Sequence, residues 1–429
     1  MFRCRCVVYI VHIINHQNQD DPVMHCGNHL RDTSSHITIP RLECLRFPDA
    51  RPKSEIQQKH CSFQFLRRSP LKRMVCDIVE ADVAANIASS FSAGLIVEPI
   101  AFPVPKVNQS IMSRVPVMTG ENVSEVKVIM ETSTGNFYEI GRKLKETIFG
   151  EVIHAIRLQR GANGKLFRVI PLRQLAIKIY YRQRLRDFDR KTHENPNTEI
   201  AAMQFIGKHI NIVEHFECCS DHDNVYSIME FADGGELYDC IEQEGPLPEF
   251  RAKELFRQIS QGLRHLHDAG VAHRDLTLEN IICSQTGICK LIDFGMSLRL
   301  PRFPNDIVKD GRNRPVLLIP PQGTCGKLNY VAPEVMESTR DFNPQLSDVW
   351  SLGVILFILL TGVPPVAAAY DLDDRYRLIC DDGLHLLLKQ WGFFLSEDAV
   401  DLLFRLLRPN PQDRLTSREI SEHPWLKSL

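Results

Sequence analysis

The stretch that decides the reading of this chain is His273-Arg274-Asp275-Leu276-Thr277-Leu278-Glu279-Asn280. It sets an aspartate and an asparagine five residues apart, in an order that phosphoryl transfer can use. Asp275 is of the type that accepts a proton from an attacking hydroxyl, and Asn280 of the type that holds a metal ion on nucleotide phosphates. Moving outward, Ile281-Ile282-Cys283 and Lys290-Leu291-Ile292 read as a short strand pair, followed by Asp293-Phe294-Gly295. Asp293 then falls at a strand end beside Asn280, so two oxygen ligands converge as magnesium requires.

Further out, Leu175-Ala176-Ile177-Lys178 is a strand-like run ending in lysine, with Glu199 about twenty residues later on a predicted helix. A lysine at a strand end means nothing alone. With that glutamate it implies an ion pair that points an ammonium at two phosphates. Ala332-Pro333-Glu334, Asp348 and Arg414 follow in order. Each element by itself arises by chance; the whole series in this spacing does not.

Composition narrows the class. The chain has 429 residues, 44% hydrophobic and 24% charged, with a net charge of -2. That balance suits a globular protein and argues against nucleic acid or anionic membrane as a bulk partner. Thirteen irregularly spaced cysteines read as reduced thiols, placing the protein in the cytoplasm or nucleus. The early apolar run Cys6-Val7-Val8-Tyr9-Ile10-Val11 is interrupted by a histidine and lacks a small-residue cleavage site, so no signal peptide is read there. The run from Ser351 to Leu360 is shorter than the roughly 20 residues a membrane span needs and reads as a buried core helix, not a stable span.

Residues 1–137 differ from the rest and read as a partly disordered N-terminal extension. Six cysteines and six histidines precede residue 77, but their spacing forms no paired zinc knuckles. Residues 83–97 fit one docked helix, after which Pro99, Pro103, Pro105 and Pro116 suggest an extended linker. A separate metal or partner module is the other reading of this region. From residue 138 the pattern is regular: strands over 137–180 and 212–231 around a helix near 194–207, then helices over 249–268, 347–361, 397–407 and 416–421.

Over residues 138–426 the chain resembles the eukaryotic protein kinase family, serine/threonine type. Phe231-Ala232-Asp233-Gly234-Gly235-Glu236-Leu237 and Glu422-His423-Pro424-Trp425-Leu426 look like its calcium/calmodulin-dependent-like branch. The resemblance implies an α+β, two-lobed fold with a small β-rich N-lobe and a larger, mainly helical C-lobe. It implies ATP and Mg2+ as cofactors and protein Ser/Thr hydroxyls as acceptors. Lys178 would bind the α/β-phosphates, held by Glu199; Asp275 would be the catalytic base; Asn280 and Asp293 would be metal ligands. Asp348 would brace the catalytic-loop backbone, and Glu334 and Arg414 would pair beneath the activation segment. Glu230, Ala232 and Glu236 would make hinge and ribose contacts, with Met229 as gatekeeper and Leu144, Val152, Ala176 and Ile282 around adenine. No calmodulin-type tail is expected, the chain ending at Leu429, and no Asp-rich calcium loop occurs.

Three departures bear on activity. In Leu144-Lys145-Glu146-Thr147-Ile148-Phe149-Gly150-Glu151-Val152 only the third glycine, Gly150, of the family's glycine-rich loop remains. Thr277 stands where the family carries lysine, and Lys327 where it carries threonine. The pair reads as a reciprocal exchange, with Lys327 supplying the missing ammonium beside Asp275; the alternative is that Lys327 points to solvent. The segment between Asp293 and Glu334 carries an insertion over 303–320, with Thr324 as its expected phosphosite, read by Arg274. Glu236 and Glu279 sit where family carboxylates read upstream arginine, implying substrates with that feature. A pseudokinase scaffold or allosteric partner is the rival reading, supported by the altered glycine loop and Thr277.

Overall fold

The computed structural model describes residues 95–119, 122–187, 193–301 and 317–427. All of them belong to one compact unit, within Cys76–Leu429. The cysteine- and histidine-rich start, most of the predicted helix at 83–97 and most of the 303–320 insertion lie outside the described residues.

A two-residue strand, β1 (Leu95–Ile96), precedes the N-lobe sheet of β2 (Asn108–Thr119), β3 (Asn122–Glu131), β4 (Phe137–Glu146), β5 (Gly150–Arg160), β6 (Leu166–Arg168), β7 (Gln174–Tyr181), β8 (His215–Ser220) and β9 (Asn224–Glu230). This sheet closes on itself through two long strands. β2 pairs with β3 along its length, with β6 at Val117 and Met118, and with β8 at Asn108 and Gln109. β5 gives its first half to β7 and its last residues to β6. Two rings result, β2-β3-β4-β5-β6 and β2-β3-β4-β5-β7-β9-β8. Closure pairs strand edges that would otherwise stand open to other chains.

The strand period of two serves both rings. Val128 and Phe137 pack with Val117, Leu158 and Leu166 in the smaller core. Their chain neighbours Ile129 and Tyr138 pack with Ile153, Leu175, Ile177 and Ile228 in the larger one. Successive side chains point to opposite faces, so one hairpin wall supplies both cores.

The expectation that the prolines of residues 99–116 make a linker, with the domain starting at 138, is therefore corrected. Pro116 stands exposed within β2, opposite Glu125. Proline forfeits one ladder hydrogen bond without forbidding a strand at an open position. Alternation at Val115/Val117 and Val126/Val128 about Gly120 was the available hairpin signal.

The C-lobe follows the sequence pattern closely. Its helices include Glu249–Asp268 (α2), Pro344–Thr361 (α3) and Glu397–Leu406 (α4), while Pro196–Ile206 (α1) belongs to the N-lobe. α3 starts three residues before the expected position because Asn343 caps it, accepting from Gln345 N at 2.9 Å, and Pro344 opens its first turn. Among the described residues α3 alone is long and apolar enough to cross a membrane, yet 94% of it is buried inside the protein. It is a core helix. Beneath the activation segment Arg414, fully buried, pairs in bidentate fashion with Glu334 at 2.7 Å for both bonds and donates to Leu346 O and Pro409 O.

Truncating Ile129 to alanine should lower stability by about 2–5 kcal/mol, read from the denaturant midpoint. A change below about 0.5 kcal/mol, the range of surface substitutions, would show that the hairpin is not part of the lobe's core.

Candidate active site

Lys178 lies in mid β7, paired with Val152 on β5 and Ser227 on β9, so its strand is fixed on both sides. Glu199 sits in the first turn of α1, which Asn195 caps and Pro196 opens. The helix N-terminus favours a carboxylate there. The Lys178 ammonium reaches Glu199 Oε1 at 2.8 Å and Oε2 at 2.7 Å, and Tyr180 Oη donates to Oε2 at 2.8 Å. Asp293 Oδ2 lies 3.6 Å from the same ammonium. Burial disfavours the Lys178 charge, but Asp293 and Glu199 outweigh it and hold the ammonium protonated.

The catalytic loop is braced from below. Asp348, buried on α3, accepts from His273 N and Arg274 N at 2.8 Å each and meets His267 Nε2 at 3.0 Å. Those bonds hold Arg274 in the left-handed region at φ 68, a conformation that costs energy for a non-glycine residue. The buried Phe294 ring lies 5.2 Å from His273, and Asp293 just before it adopts the left-handed region at φ 63. Asn280 Nδ2 donates to Asp275 O at 2.8 Å and Oδ2 at 2.9 Å. Among the described residues Asp275 Oδ1 is buried without a hydrogen-bond partner. Burial raises the Asp275 pKa, while His273, Asn280 and Lys327 oppose the rise. For Asp293, burial is outweighed by Lys178 and the Gly295 N–H, which hold its carboxyl below the usual range.

Glu194 joins this group without having been read from the sequence. Burial and the nearby Asp293 push its carboxyl up to about 7. It precedes the cap of α1, and only the fold reveals its proximity. The four acids Glu199, Asp275, Asp293 and Glu194 outnumber the Lys178 cation, and the Asn280 amide nitrogen is already spent on Asp275. The Asn280 carbonyl oxygen and the Asp293 carboxylate thus remain as a hard oxygen donor set, which fits magnesium.

Around the nucleotide cleft, Ala176 and Met229 are paired across β7 and β9 and both are buried. Leu144 and Val152 pack against the same core, and Ile282 bridges Glu236 from the C-lobe side. Glu230 is turned away, bound to Lys290 at 3.0 Å, so any hinge contact from it and from Ala232 falls to backbone groups. Gly150 has a packing reason: a Cβ there would lie 1.9 Å from Ile179 O. The retained glycine therefore serves the close approach of β5 to β7.

Thr277 and Lys327 behave differently from the exchange read in the sequence. Lys327 pairs with Glu279 Oε1 at 2.5 Å, and the buried Thr277 Oγ1 has no hydrogen-bond partner among the described residues. The three-way contact of Asp275, Thr277 and Lys327 is not formed, because a threonine hydroxyl cannot extend as lysine does and Glu279 captures the ammonium. Lys145, on the glycine-loop strand, pairs with Glu236 across the cleft. Both acids expected to read substrate arginine are thus covered by lysines of this same chain. Thr324 is exposed and makes one long contact, Oγ1 to Val335 O at 3.4 Å, while burial raises the pKa of the adjacent Cys325 thiol and the nearby Arg274 charge opposes the rise.

These features define the protein kinase fold and its cleft. The protein kinase domain model matches residues 156–426, and the chain belongs to that family. It is similar to CBL-interacting protein kinase 1 of Oryza sativa subsp. japonica, 36% identical over 290 residues, covering 68% of this chain and 56% of that protein. It is similar also to CBL-interacting serine/threonine-protein kinase 9 of Arabidopsis thaliana, 36% identical over 296 residues, covering 69% of this chain and 59% of the relative. The chain spans a little over half the length of these curated relatives.

Covered acids predict weak basic selectivity. A positional peptide library should show little upstream-arginine enrichment in the wild type. The Lys145→Ala, Lys327→Ala double variant should gain enrichment on the order of two- to fivefold, the size that exposed ion pairs sustain. Unchanged selectivity in that variant would contradict the reading.

Proposed function

We propose that this chain is a protein serine/threonine kinase that uses ATP and magnesium. One observation carries the reading: a buried carboxylate oxygen, Asp275 Oδ1, is left open beside Asn280, in a cleft where Lys178 and Glu199 are already paired. Asp275 takes the proton of the acceptor hydroxyl while the hydroxyl oxygen bonds the γ-phosphorus of ATP and the bond from that phosphorus to the β-phosphate oxygen breaks, leaving ADP. Lys178 holds the α/β-phosphates, fixed in place by Glu199. Asn280 and Asp293 would hold the magnesium ion, whose charge offsets that of the phosphates when bound. Lys327, facing Glu279 at the same loop, lends positive charge toward Asp275.

Leu144, Val152, Ala176, Met229 and Ile282 form the adenine surface in this reading. The Lys145–Glu236 pair spans the cleft and must open or shift for Glu236 to meet the ribose. Thr324 is the activation-segment phosphosite of the proposal, supported by its exposure and by the Arg274 charge near its neighbour Cys325.

Compare the wild type with Asp275→Asn in a peptide transfer assay, and follow ATP–magnesium binding by thermal shift. Asparagine keeps the shape of the loop but cannot take the proton. Transfer should fall by about 10²–10⁴-fold, the usual worth of a general base, with nucleotide protection retained. Equal transfer by both proteins would exclude Asp275 as the base, and no transfer by the wild type would exclude the kinase reading.

A further inference from the structure

The segment ahead of the N-lobe sheet touches both the helix that carries Glu199 and the activation segment. β1 runs parallel to a further two-residue strand, β10 (Leu317–Leu318), and Val97 N continues the ladder to Leu318 O at 2.8 Å. Ile100 N donates to Arg299 O at 2.9 Å, and Arg299 Nη1 donates to Ala101 O at 3.1 Å. The segment is therefore bonded to the activation segment at two places, six residues after Asp293 and again at Leu318.

Its other end holds α1. Lys106 N donates to Gln204 Oε1 at 2.9 Å, and Gln204 Nε2 returns to Lys106 O at 3.0 Å. A side-chain amide here completes the backbone bonding of the segment as a neighbouring strand would. One residue on, the Phe205 ring meets Phe102 edge-on at 5.8 Å, and the Arg299 guanidinium stacks over it at 4.3 Å. Val97 is buried in the hydrophobic cluster that joins the C-lobe core to Ala202, Met203 and Ile206 of α1, with Leu95 and Phe102 packed against it. Pro99, Pro103 and Pro105 restrict the backbone between these anchors.

Glu199 and Gln204 lie at opposite ends of one short helix. A helix moves as a rigid unit, so holding its last turn fixes its first. Swinging Glu199 away from Lys178 would break the Gln204 bonds and pull Phe205 from between Phe102 and Arg299. We propose that residues 95–106 form a positioning strap that ties α1 to the activation segment and thereby keeps Glu199 on Lys178. Phe102, Gln204 and Arg299 are its positioning residues. The strap rests on the kinase reading, since its readout is phosphoryl transfer.

A double-mutant cycle in the full chain separates positioning from packing. Phe102→Ala and Gln204→Ala are each made in the wild type and in Glu199→Gln, and kcat and the peptide KM are measured. If the strap acts through Glu199, each substitution should lower kcat on the order of tenfold in the wild type, a typical coupling between sites. Peptide KM should stay constant, and the loss should shrink below twofold in the Glu199→Gln background. Phe102→Tyr should restore kcat. Equal losses in both backgrounds, or kcat within twofold of wild type for the single variants, would overturn the strap while leaving the kinase reading intact. Gln204 is exposed, so its variant decides the matter should Phe102→Ala fold poorly. Absence of transfer by the wild type would instead point to failure of the kinase reading.

Discussion

Everything in the cleft depends on the buried pair of Lys178 and Glu199. Two charges withdrawn from water pay a desolvation penalty that their attraction roughly offsets, so such a pair adds little net stability. Its value lies in position. Lys178 is fixed by two strand neighbours, Glu199 by a capped helix turn, and Tyr180 fills a remaining carboxylate bond. The resulting fixed ammonium is the local counter-charge for Asp293, with Glu194 and Asp275 nearby. Remove it, and the carboxylates of the cleft repel one another.

The N-lobe supports that pair by an unusual route. Strands β2 and β3 close the sheet into two rings, and their alternating side chains fill both cores. β7, which carries Lys178, belongs to the larger ring. The same N-terminal stretch that completes the ring also reaches α1 through Gln204 and Phe205. Residues upstream of the matched kinase domain thus complete the sheet that carries Lys178 and bond to the helix that carries Glu199.

Legibility in the sequence followed the range of the interactions. Asp275, Asn280, Asp293, Lys178 and Glu199 were readable because the chemistry demands those residue types at set spacings. The C-lobe helices were readable because a 3.6-residue period survives in α2, α3 and α4. The β2–β3 hairpin was hidden by Pro116, and its pairing with β6 and β8 is non-local, so no window of sequence contains it. The Thr277–Lys327 exchange was read from position alone, but a lysine goes to the acid it can reach, and Glu279 lies there. Glu194 was missed because its property comes from burial.

The most direct test of the account is the single-turnover rate of phosphoryl transfer by folded Glu199→Gln. Glutamine keeps the size and one acceptor for Lys178 but removes the charge that fixes it. The rate should fall on the order of 10²-fold, the scale lost when one electrostatic element of a site is removed, with the protein still folded. A rate within threefold of wild type would contradict it, because Lys178 would then be positioned without the interaction on which the rest of the cleft is built.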